Sequence, residues 1–225
     1  MKISNMSVEL VDVMGTDLSV VNAARVSFAK DASNFTEEQN NKLIKYLAKH
    51  GHWSPFAHAF LSFRIKVPLF VGRQLQKHQV GLSWNEVSRR YVDDAPEFYV
   101  PSSWRARPES SIKQGSSTSL VDILIEHGTN GKNGIEDPFL DSIQIALEAY
   151  NHMLNRGVAP EQARMILPQN MMTEFIWSGS LMAFVRVVKQ RSDPHAQQES
   201  QEVAAMLAQE VSRLFPVSFE ALMEN

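Results

Sequence analysis

Residues 73–91 hold a dense group of hydrogen-bond donors of the kind that bind phosphate. The segment reads RQLQKHQVGLSWNEVSRRY, and it has one acid, Glu86, among five basic side chains, which are Arg73, Lys77, His78, Arg89 and Arg90. Arginine side chains, hydroxyls and backbone amides close together suit an anionic phosphate, and a lone carboxylate can accept from a ribose hydroxyl or a base N–H. A solvated basic face is the alternative from composition, but residues 81–85 fit no helical stripe. The segment is therefore a candidate site for a phosphate-bearing ligand.

Two arginines outside this segment are further candidates for anion binding. Arg191 comes just before Asp193 and Pro194, a pair that predicts the N-terminus of a long helix, and the free amides of a helix start favour a bound anion. Arg164 is flanked by apolar residues in ARMILP, where a buried structural ion pair is the alternative. A guanidinium binds phosphate through two parallel hydrogen bonds, more rigidly than lysine does.

The sequence excludes several classes of site. The chain has no cysteine, which excludes disulfides, thiolate zinc sites and a cysteine nucleophile. It has no HExxH, GxGxxG or P-loop pattern, so we predict no metal site and no Rossmann or Walker nucleotide site. Ser88 could be proposed as a nucleophile, but no His/Asp relay can be read beside it, and a phosphate or sugar contact is the better interpretation.

Charge and hydropathy predict a soluble, cytoplasmic protein. Of the 225 residues, 44% are hydrophobic and 21% are charged, and the net charge of -3 gives no global positive field for coating DNA. The N-terminal segment has no long apolar run after its lysine, and no apolar stretch approaches the length of a membrane span. We therefore expect no nucleic-acid partner and no membrane partner.

The hydrophobic pattern predicts a mixture of strands and helices. Strands are predicted at residues 2–13, at 60–67, where apolar and polar residues alternate, and at 170–178. Helices are predicted at residues 19–27, from the Thr36/Gln39 capping box to Gly51, from Pro68 to about His78, from Asp137 to Gly157, at 180–190, and from Asp193 through Leu214. Residues 101–119 and 128–136 have the Ser/Pro and Gly/Asn content of surface loops. Without regular βαβ alternation, the α+β class is favoured, as one domain over residues 1–225 with a loop-rich insertion around 101–136.

The donor-rich segment at residues 73–91 resembles the defining motif of the flavin-dependent thymidylate synthases, also called the thymidylate synthase complementing protein family. That motif is RHR, a short spacer and SxNExSxRY. Residues 83–91 match its second half at every specified position, whereas Lys77, His78 and Gln79 stand where the family has RHR. Only the central histidine of the first half is therefore retained.

Three more blocks of the chain resemble the same family, in the family's order and with similar spacing. Residues 51–58 are similar to its GHxSPFEH segment, with Ala57 in place of the glutamate. Residues 163–168 are similar to ARxxLP, and residues 191–197 are similar to RADxHAQ. Four ordered blocks, from about residue 18 to 215, make a chance match improbable.

The resemblance implies an enzyme that converts dUMP to dTMP with FAD, taking the carbon from methylenetetrahydrofolate and the electrons from NADPH. It implies a mainly antiparallel sheet flanked by helices, and a homotetramer whose sites lie between subunits. The ordinary thymidylate synthases activate uracil C5 by adding a cysteine at C6, and that route is closed to a chain without cysteine. A reduced flavin can supply hydride and pass on the one-carbon unit, so the protein must mainly orient rings and stabilise charge.

The resemblance also assigns residues to the two ligands. The implied dUMP contacts are Gln74, Lys77, Glu86, Val87, Ser88, Arg89, Arg90, Arg164 and Arg191. Arg191 matches the residue held to favour the ionised uracil ring, so it is the predicted catalytic residue. The implied FAD contacts are His52, Ser54, Lys77, His78, Gln79, Glu86, Ser180 and Arg186. Ser180 and Arg186 occupy the places of asparagines in the family.

Two other functions stay open at this point. The basic segment with Trp84 could form a non-catalytic nucleic-acid-binding surface for stacking and phosphate contacts, although the acidic net charge argues against it. A relative that has lost its activity could bind dUMP without flavin turnover, because Lys77 and Gln79 replace two arginines of the motif.

Overall fold

Helices and strands are interspersed along the chain. The computed structural model describes residues 1–92, 94–108, 116–129 and 132–225, with the backbone alone at 127–129 and 132–134. The helices are α1 (Asp17–Arg25), α2 (Glu37–Lys49), α3 (Leu69–Leu75), α4 (Pro138–Asn155), α5 (Pro160–Ala163), α6 (Leu181–Arg191), α7 (Gln198–Leu214) and α8 (Pro216–Glu224). The strands are β1 (Lys2–Ile3), β2 (Ser7–Met14), β3 (Phe60–Pro68), β4 (Leu82–Glu86), β5 (Glu97–Phe98), β6 (Trp104–Arg105), β7 (Leu120–Val121), β8 (Ile125–Thr129), β9 (Lys132–Glu136) and β10 (Met172–Ser180). Helices beside antiparallel strand pairs confirm the α+β class.

The chain divides into two compact units. The sheet unit consists of Met6–Lys66, Val71–Glu86 and Glu174–Asn225. The α4 unit consists of Met1–Asn5, Val67–Phe70 and Val87–Thr173. The organisation of residues 1–225 as one domain with an insertion stays a prediction.

A four-stranded sheet in the order β2-β3-β10-β4 is the framework of the sheet unit. β2 pairs antiparallel with β3, and β4 pairs antiparallel with β10. β3 has the predicted alternation, since Leu61, Phe63 and Ile65 are buried while Arg64 is exposed, as expected of a strand with one covered face. Helix α6 helps to cover that face, where Phe184 lies edge-on to Phe63 with ring centroids 5.0 Å apart.

Local sequence signals set several helix boundaries as predicted. Thr36 and Gln39 form the capping box at the start of α2, and the Asp137 carboxylate accepts from two backbone N–H groups at the start of α4. These contacts satisfy N–H groups that a helix start leaves unpaired. Gly157, after α4, takes a φ of 81°, a left-handed conformation that glycine adopts without steric cost.

The α4 unit has an apolar core of its own. Its buried members are Phe98, Ile143, Tyr150, Ala163, Leu167 and Met171. Leu140, Leu147 and Leu154 pack against them, so an apolar stripe of α4 faces this core. β1 and β5 pair in parallel in the same unit, with an ion pair between Lys2 and Glu97.

Two predicted loops contain short strands. Within the predicted loop at 128–136, β8 and β9 pair antiparallel, with Thr129 opposite Lys132. The Asn-Gly pair at 130–131, outside the described residues, is a sequence that favours two-residue hairpin connections. Because the paired strands extend into residues 128–136, the prediction of a loop is wrong there. In the loop predicted at 101–119, β6 pairs with β7, which directly follows that loop, and residues 109–115 lie outside the described residues.

The helix predicted to begin at Asp193 begins instead at Gln198. The Asp193 carboxylate accepts from the backbone N–H of His195 at 2.7 Å and lies 2.9 Å from its ring Nδ1. Such local side-chain bonds compete with helix formation. After α7, Pro216 begins a separate helix, α8, which the sequence pattern did not distinguish.

Other boundaries also differ from those predicted. The helix predicted to run from Pro68 to about His78 is α3, which ends at Leu75, and the strand predicted at 2–13 is divided into β1 and β2. Arg191 is the last residue of α6 and does not stand directly before a helix start. In the described part of the chain, no helix is both long enough and apolar enough to span a membrane.

We predict that Asp17→Ala lowers the free energy of unfolding by about 1–2 kcal/mol. Asp17 accepts from the backbone N–H groups of Val217 and Ser218, each at 3.0 Å, and thereby caps the start of α8 from α1. Urea unfolding followed by circular dichroism measures the effect. The exposed Asp141 on α4 provides the control, because Asp141→Ala should change stability by less than about 0.5 kcal/mol. Equal effects of the two substitutions would contradict the capping role.

Candidate active site

β4 holds the first part of the SxNExSxRY motif at the edge of the sheet. Its pairing with β10 places Trp84 opposite Trp177 and Glu86 opposite Phe175. The Trp84 ring stacks on Phe175 with centroids 3.3 Å apart and planes 22° apart, and it lies edge-on to the buried Trp177. Stacked and edge-on aromatic contacts of this kind add to the stability given by burial. An aromatic layer therefore fixes the strand that bears Glu86.

The Glu86 carboxylate is oriented by two neutral donors of the sheet unit. Gln76 Nε2 donates to Glu86 Oε2 at 3.1 Å, and Trp84 Nε1 donates to the same oxygen at 3.3 Å. Both of these donors are uncharged groups. Because an ionised carboxylate has about four acceptor positions, Glu86 can also accept from a ligand hydroxyl or ring N–H.

Arg191 and His78 form a hydrogen-bonded pair inside the sheet unit. Arg191 Nε donates to His78 Nε2 at 2.9 Å, and Arg191 Nη2 donates to the backbone carbonyl of Gln74 at 2.7 Å. His78 is 9% exposed and lies in the turn after α3. Neither partner of the guanidinium has a negative charge, so these bonds hold the cation without neutralising it. A held, uncompensated cation is suited to an anionic ligand.

Burial and positive charge keep His78 neutral. Burial, together with the charges of Arg191 and Arg186, lowers the pKa of His78 from 6.5 to about 4. A neutral imidazole is required by the geometry as well, because Arg191 Nε is a donor and the nitrogen that it meets must accept. Burial also lowers the pKa of Arg191 from its ordinary value.

The turn that leads into β4 depends on a close approach between two glycines. A Cβ on Gly179 would lie 2.3 Å from the carbonyl oxygen of Gly81, and Gly81 takes a φ of +77°. Ser180, one of the residues predicted at the flavin, is buried and caps α6 by accepting from Ala183 N at 3.3 Å. In the same turn, Arg186 Nη2 donates to the carbonyl of Val80 at 2.6 Å. The turn is therefore held against α6 by the bond from Arg186.

A pocket of about 360 Å³ in the sheet unit contains two residues of the predicted flavin site, His52 and Arg186. Its remaining lining is Leu47, Ala48, Gly51, Trp53, Phe56, Met182, Val185, Lys189, Gln190, Leu222 and Asn225. Apolar and aromatic walls with a few polar groups suit a planar ring, and the two cations Arg186 and Lys189 suit a phosphate. This set of groups fits a ligand that has a planar ring and a phosphate.

Of the other residues of the predicted flavin site, Ser54, Lys77 and Gln79 lie on exposed turns of the sheet unit, and Glu86 ends β4. Ser54 begins a short 3₁₀ helix directly after the pocket residues His52 and Trp53. Lys77 and Gln79 are exposed on either side of the buried His78. These side chains are accessible to a ligand, and their contacts with FAD stay predictions.

In the α4 unit, residues 87–91, the last part of the SxNExSxRY motif, form a compact polar turn. Ser88 Oγ accepts from both the backbone N and the side-chain Nε of Arg90, at 3.3 and 3.2 Å. Arg89 Nη1 donates to the backbone carbonyl of Asp94, and Val87 is exposed. The turn is built from hydroxyl and guanidinium groups that can bind a phosphate.

Arg164 of the α4 unit lies on the surface. Its side chain is exposed, and its Nε donates to the carbonyl of Glu161 at 3.3 Å. The exposure contradicts the alternative of a buried structural ion pair. The guanidinium is accessible to an anion.

The predicted dUMP residues are therefore divided between the units. Gln74, Lys77, Glu86 and Arg191 belong to the sheet unit, and residues 87–90 with Arg164 belong to the α4 unit. Among the described residues, no group of three or more His, Asp or Glu side chains is placed to bind a metal ion.

Two anchors of this region were not predicted from the sequence. Ser200 Oγ donates to Gln74 Oε1 at 3.0 Å, and Gln74 Nε2 donates to Gln197 Oε1. Gln197 is the last residue of the block at 191–197 that resembles RADxHAQ, and that resemblance could have indicated it as a site residue. Ser200 has none, because its burial becomes evident only when α7 packs.

We predict that His78 titrates with a midpoint near pH 4 in the folded protein. The unfolded chain binds more protons than the folded chain between about pH 4 and pH 6.5, so the contribution of His78 to the free energy of unfolding falls as the pH is lowered through that range. NMR of ¹⁵N-labelled histidine measures the midpoint, and the urea-unfolded chain is the reference, at about 6.5. A folded midpoint above about 6 would contradict this prediction.

Comparison with known proteins relates this site to one family. The family model described as Thymidylate synthase complementing protein matches residues 9–217. The flavin-dependent thymidylate synthase of Kosmotoga olearia is 38% identical over 216 residues, which cover 96% of this chain and 89% of that protein. Those of Thermotoga neapolitana and Thermus thermophilus are 36% and 37% identical, over 96% and 97% of this chain and 90% and 76% of theirs.

A solved structure has the same fold. The UMP/dUMP methylase PolB from Streptomyces cacaoi, bound with 5-Br dUMP, superposes with a TM-score of 0.83 and 28% sequence identity, over 100% of this chain and 97% of that chain. The family model and the identity to named relatives each extend over most of the sequence. The chain belongs to the thymidylate synthase complementing protein family, the family of the flavin-dependent thymidylate synthases.

Proposed function

We propose that this protein converts dUMP to dTMP, with methylenetetrahydrofolate as the carbon donor, FAD as the bound flavin and NADPH as the reductant. The observation that supports this most directly is the Arg191 guanidinium, held by His78 and the Gln74 carbonyl with its charge uncompensated by either. Methylation of uracil at C5 requires negative charge on the ring, and a held cation stabilises that charge. The family assignment favours this function over a non-catalytic nucleic-acid module.

Arg191 acts at the pyrimidine in this proposal. Its donors contact O2 and N3 of uracil, so that the ionised ring is stabilised and electron density at C5 rises. The guanidinium is partly buried, and an electrostatic interaction is stronger in such a place than in bulk water. With no cysteine in the chain, this charge stabilisation stands in for the covalent activation that a thiol would give.

The nucleotide phosphate and sugar are bound by the remaining residues of the dUMP set. Arg89, Arg90, Ser88 and Arg164 supply guanidinium and hydroxyl groups for the phosphate, and the exposure of Arg164 leaves it accessible. Glu86, already oriented by Gln76 and Trp84, accepts from a sugar hydroxyl or a ring N–H. Val87, Gln74 and Lys77 complete the dUMP contacts of this proposal.

FAD is held by a set that combines an apolar surface with cations. His52 and Arg186 line the pocket of the sheet unit, and Ser54, Lys77, Gln79, Glu86 and Ser180 complete the proposed set, whereas the buried His78 is bonded to Arg191. When bound, the flavin supplies the hydride and the one-carbon transfer. The chain orients the rings, and the apolar walls around His52 and Arg186 keep water from them.

The proposed assembly is a homotetramer in the cytoplasm, with sites formed between subunits. Large apolar side chains are exposed on the sheet unit, including Met14 at 58%, Val26 at 71% and Phe28 at 75%. Their burial against another subunit would remove apolar surface from water, which favours association.

We predict that the purified protein is yellow and makes dTMP from dUMP only when both methylenetetrahydrofolate and NADPH are supplied. A visible spectrum, FAD reconstitution and chromatography of the nucleotide products measure this. Omission of each co-substrate in turn is the control. A colourless protein that cannot be reconstituted with FAD, or dTMP formed without the folate, would contradict the proposed function.

We predict that Arg191→Ala lowers kcat/KM by about 100-fold or more, because it removes charge stabilisation at the reacting ring. Arg164→Ala should weaken dUMP binding by about tenfold, the usual effect of losing one charge-assisted contact. Steady-state kinetics and calorimetric dUMP titration separate the two effects. Arg213, exposed on α7 beside Glu210, is the matched control, and Arg213→Ala should leave both quantities unchanged. Wild-type kinetics in the Arg191 and Arg164 variants would remove these residues from the site.

A further inference from the structure

Of the three residues that stand where the family motif has RHR, only the middle one, His78, is buried. Lys77 and Gln79 are exposed, whereas His78 is 9% exposed and its centroid lies 6.5 Å from that of the Trp177 ring. A residue whose only role was to contact a ligand would not need to be buried against the core. The placement of His78 therefore indicates a role inside the protein.

We propose that His78 is a positioning residue for Arg191, holding the guanidinium in place through Nε2 so that its free donors are presented to the pyrimidine ring. This role rests on the proposed function, because the pyrimidine is the ligand to which Arg191 is presented. It differs from the flavin contact that the family motif implies for His78, since the atom that acts is bonded to another side chain of the same chain.

The geometry fixes Arg191 at two of its three nitrogens. Nε is held by His78 and Nη2 by the Gln74 carbonyl, at 2.9 and 2.7 Å. Two directed bonds restrict rotation about the terminal bonds of a long side chain that would otherwise lose several rotamers on binding. Among the described residues, Nη1 has no protein partner and is available to a ligand.

The second holder of the guanidinium is itself fixed by α7. The Gln74 side chain accepts from Ser200 Oγ at 3.0 Å and donates to Gln197. Ser200 is 0% exposed, so this contact is part of the packed interior of the sheet unit. Gln74 thus acts on Arg191 through its backbone carbonyl, while its side-chain amide ties that carbonyl to the start of α7.

The charges around His78 make it an acceptor at neutral pH. The charged groups that lower its pKa are Arg191 and Arg186, both on α6, and burial acts in the same direction. A protonated imidazole would direct a donor and a like charge at Arg191 Nε, so the pair would break. The accepting Nε2 also defines the tautomer, with the proton on Nδ1.

The hydrogen bond is tested first on the wild-type protein, where folding of a variant is not in question. NMR of ¹⁵N-labelled histidine, assigned by comparison with His78→Gln, reports which ring nitrogen holds the proton. An unprotonated Nε2 with a protonated Nδ1 is the expected result. A protonated Nε2 would overturn the proposal.

The positioning role is then tested with two variants and calorimetric dUMP titration. His78→Gln keeps an acceptor at about the position of Nε2, whereas His78→Leu removes it. We expect His78→Leu to weaken dUMP binding about tenfold and His78→Gln to stay within about threefold of wild type. In an Arg191→Ala background, His78→Leu should have no further effect, because a positioning residue acts only through the group that it positions.

Three outcomes of this cycle overturn the proposal: equal effects of the Gln and Leu variants, a full additional loss in the Arg191→Ala background, or loss of bound flavin absorbance with unchanged dUMP affinity. The last would assign His78 to the flavin. His152, exposed on α4, is the matched control, and His152→Leu should leave dUMP binding unchanged. If the wild-type protein binds no dUMP, the proposed function is contradicted. In that case the NMR measurement of the His78 tautomer still tests the hydrogen bond to Arg191.

Discussion

The pairing of β4 with β10 is the constraint on which the candidate site depends. The two strands come together at a turn where the Gly81 carbonyl approaches Gly179 so closely that a side chain at Gly179 would collide with it. Ser180 N donates to that same carbonyl at 3.2 Å, and Ser180 then caps α6. Because β10 leads directly into α6, the strand pairing that orients Glu86 also sets the start of the helix that ends at Arg191.

The path of α6 explains why Arg191 and His78 meet although 113 residues separate them in the chain. The helix crosses over the sheet on a buried apolar face that includes Phe184, Val187 and Val188, and its last residue arrives beside the turn after α3. A cation at a helix C-terminus is stabilised by the exposed carbonyl groups there. The hydrophobic packing of the helix, together with this electrostatic preference, places the Arg191 guanidinium beside the neutral His78 imidazole.

Several charged side chains of the sheet unit are held by neutral groups. His78 is neutral, Arg191 is held by groups without charge, and Arg186 is bonded to a backbone carbonyl. Glu86 is oriented by neutral donors. Interactions that fix a charged side chain without neutralising it keep that side chain available for a substrate whose charge develops during reaction. This is the physical basis on which a chain without cysteine can act on a pyrimidine ring.

The sequence by itself determined the family, the helix caps at Thr36 and Asp137, and the alternation of β3, because these depend on residues close together in the chain. It also indicated Arg191 as a site residue, because residues 191–197 are similar to the RADxHAQ block of the family. It misplaced the helix expected at Asp193, since the local bonds to His195 compete with a helix start there. Only the tertiary structure decided that His78 is buried and accepts from Arg191, and that Ser200 fixes Gln74. Each of these contacts joins distant segments, and their formation depends on how α6 and α7 pack, which no local pattern contains.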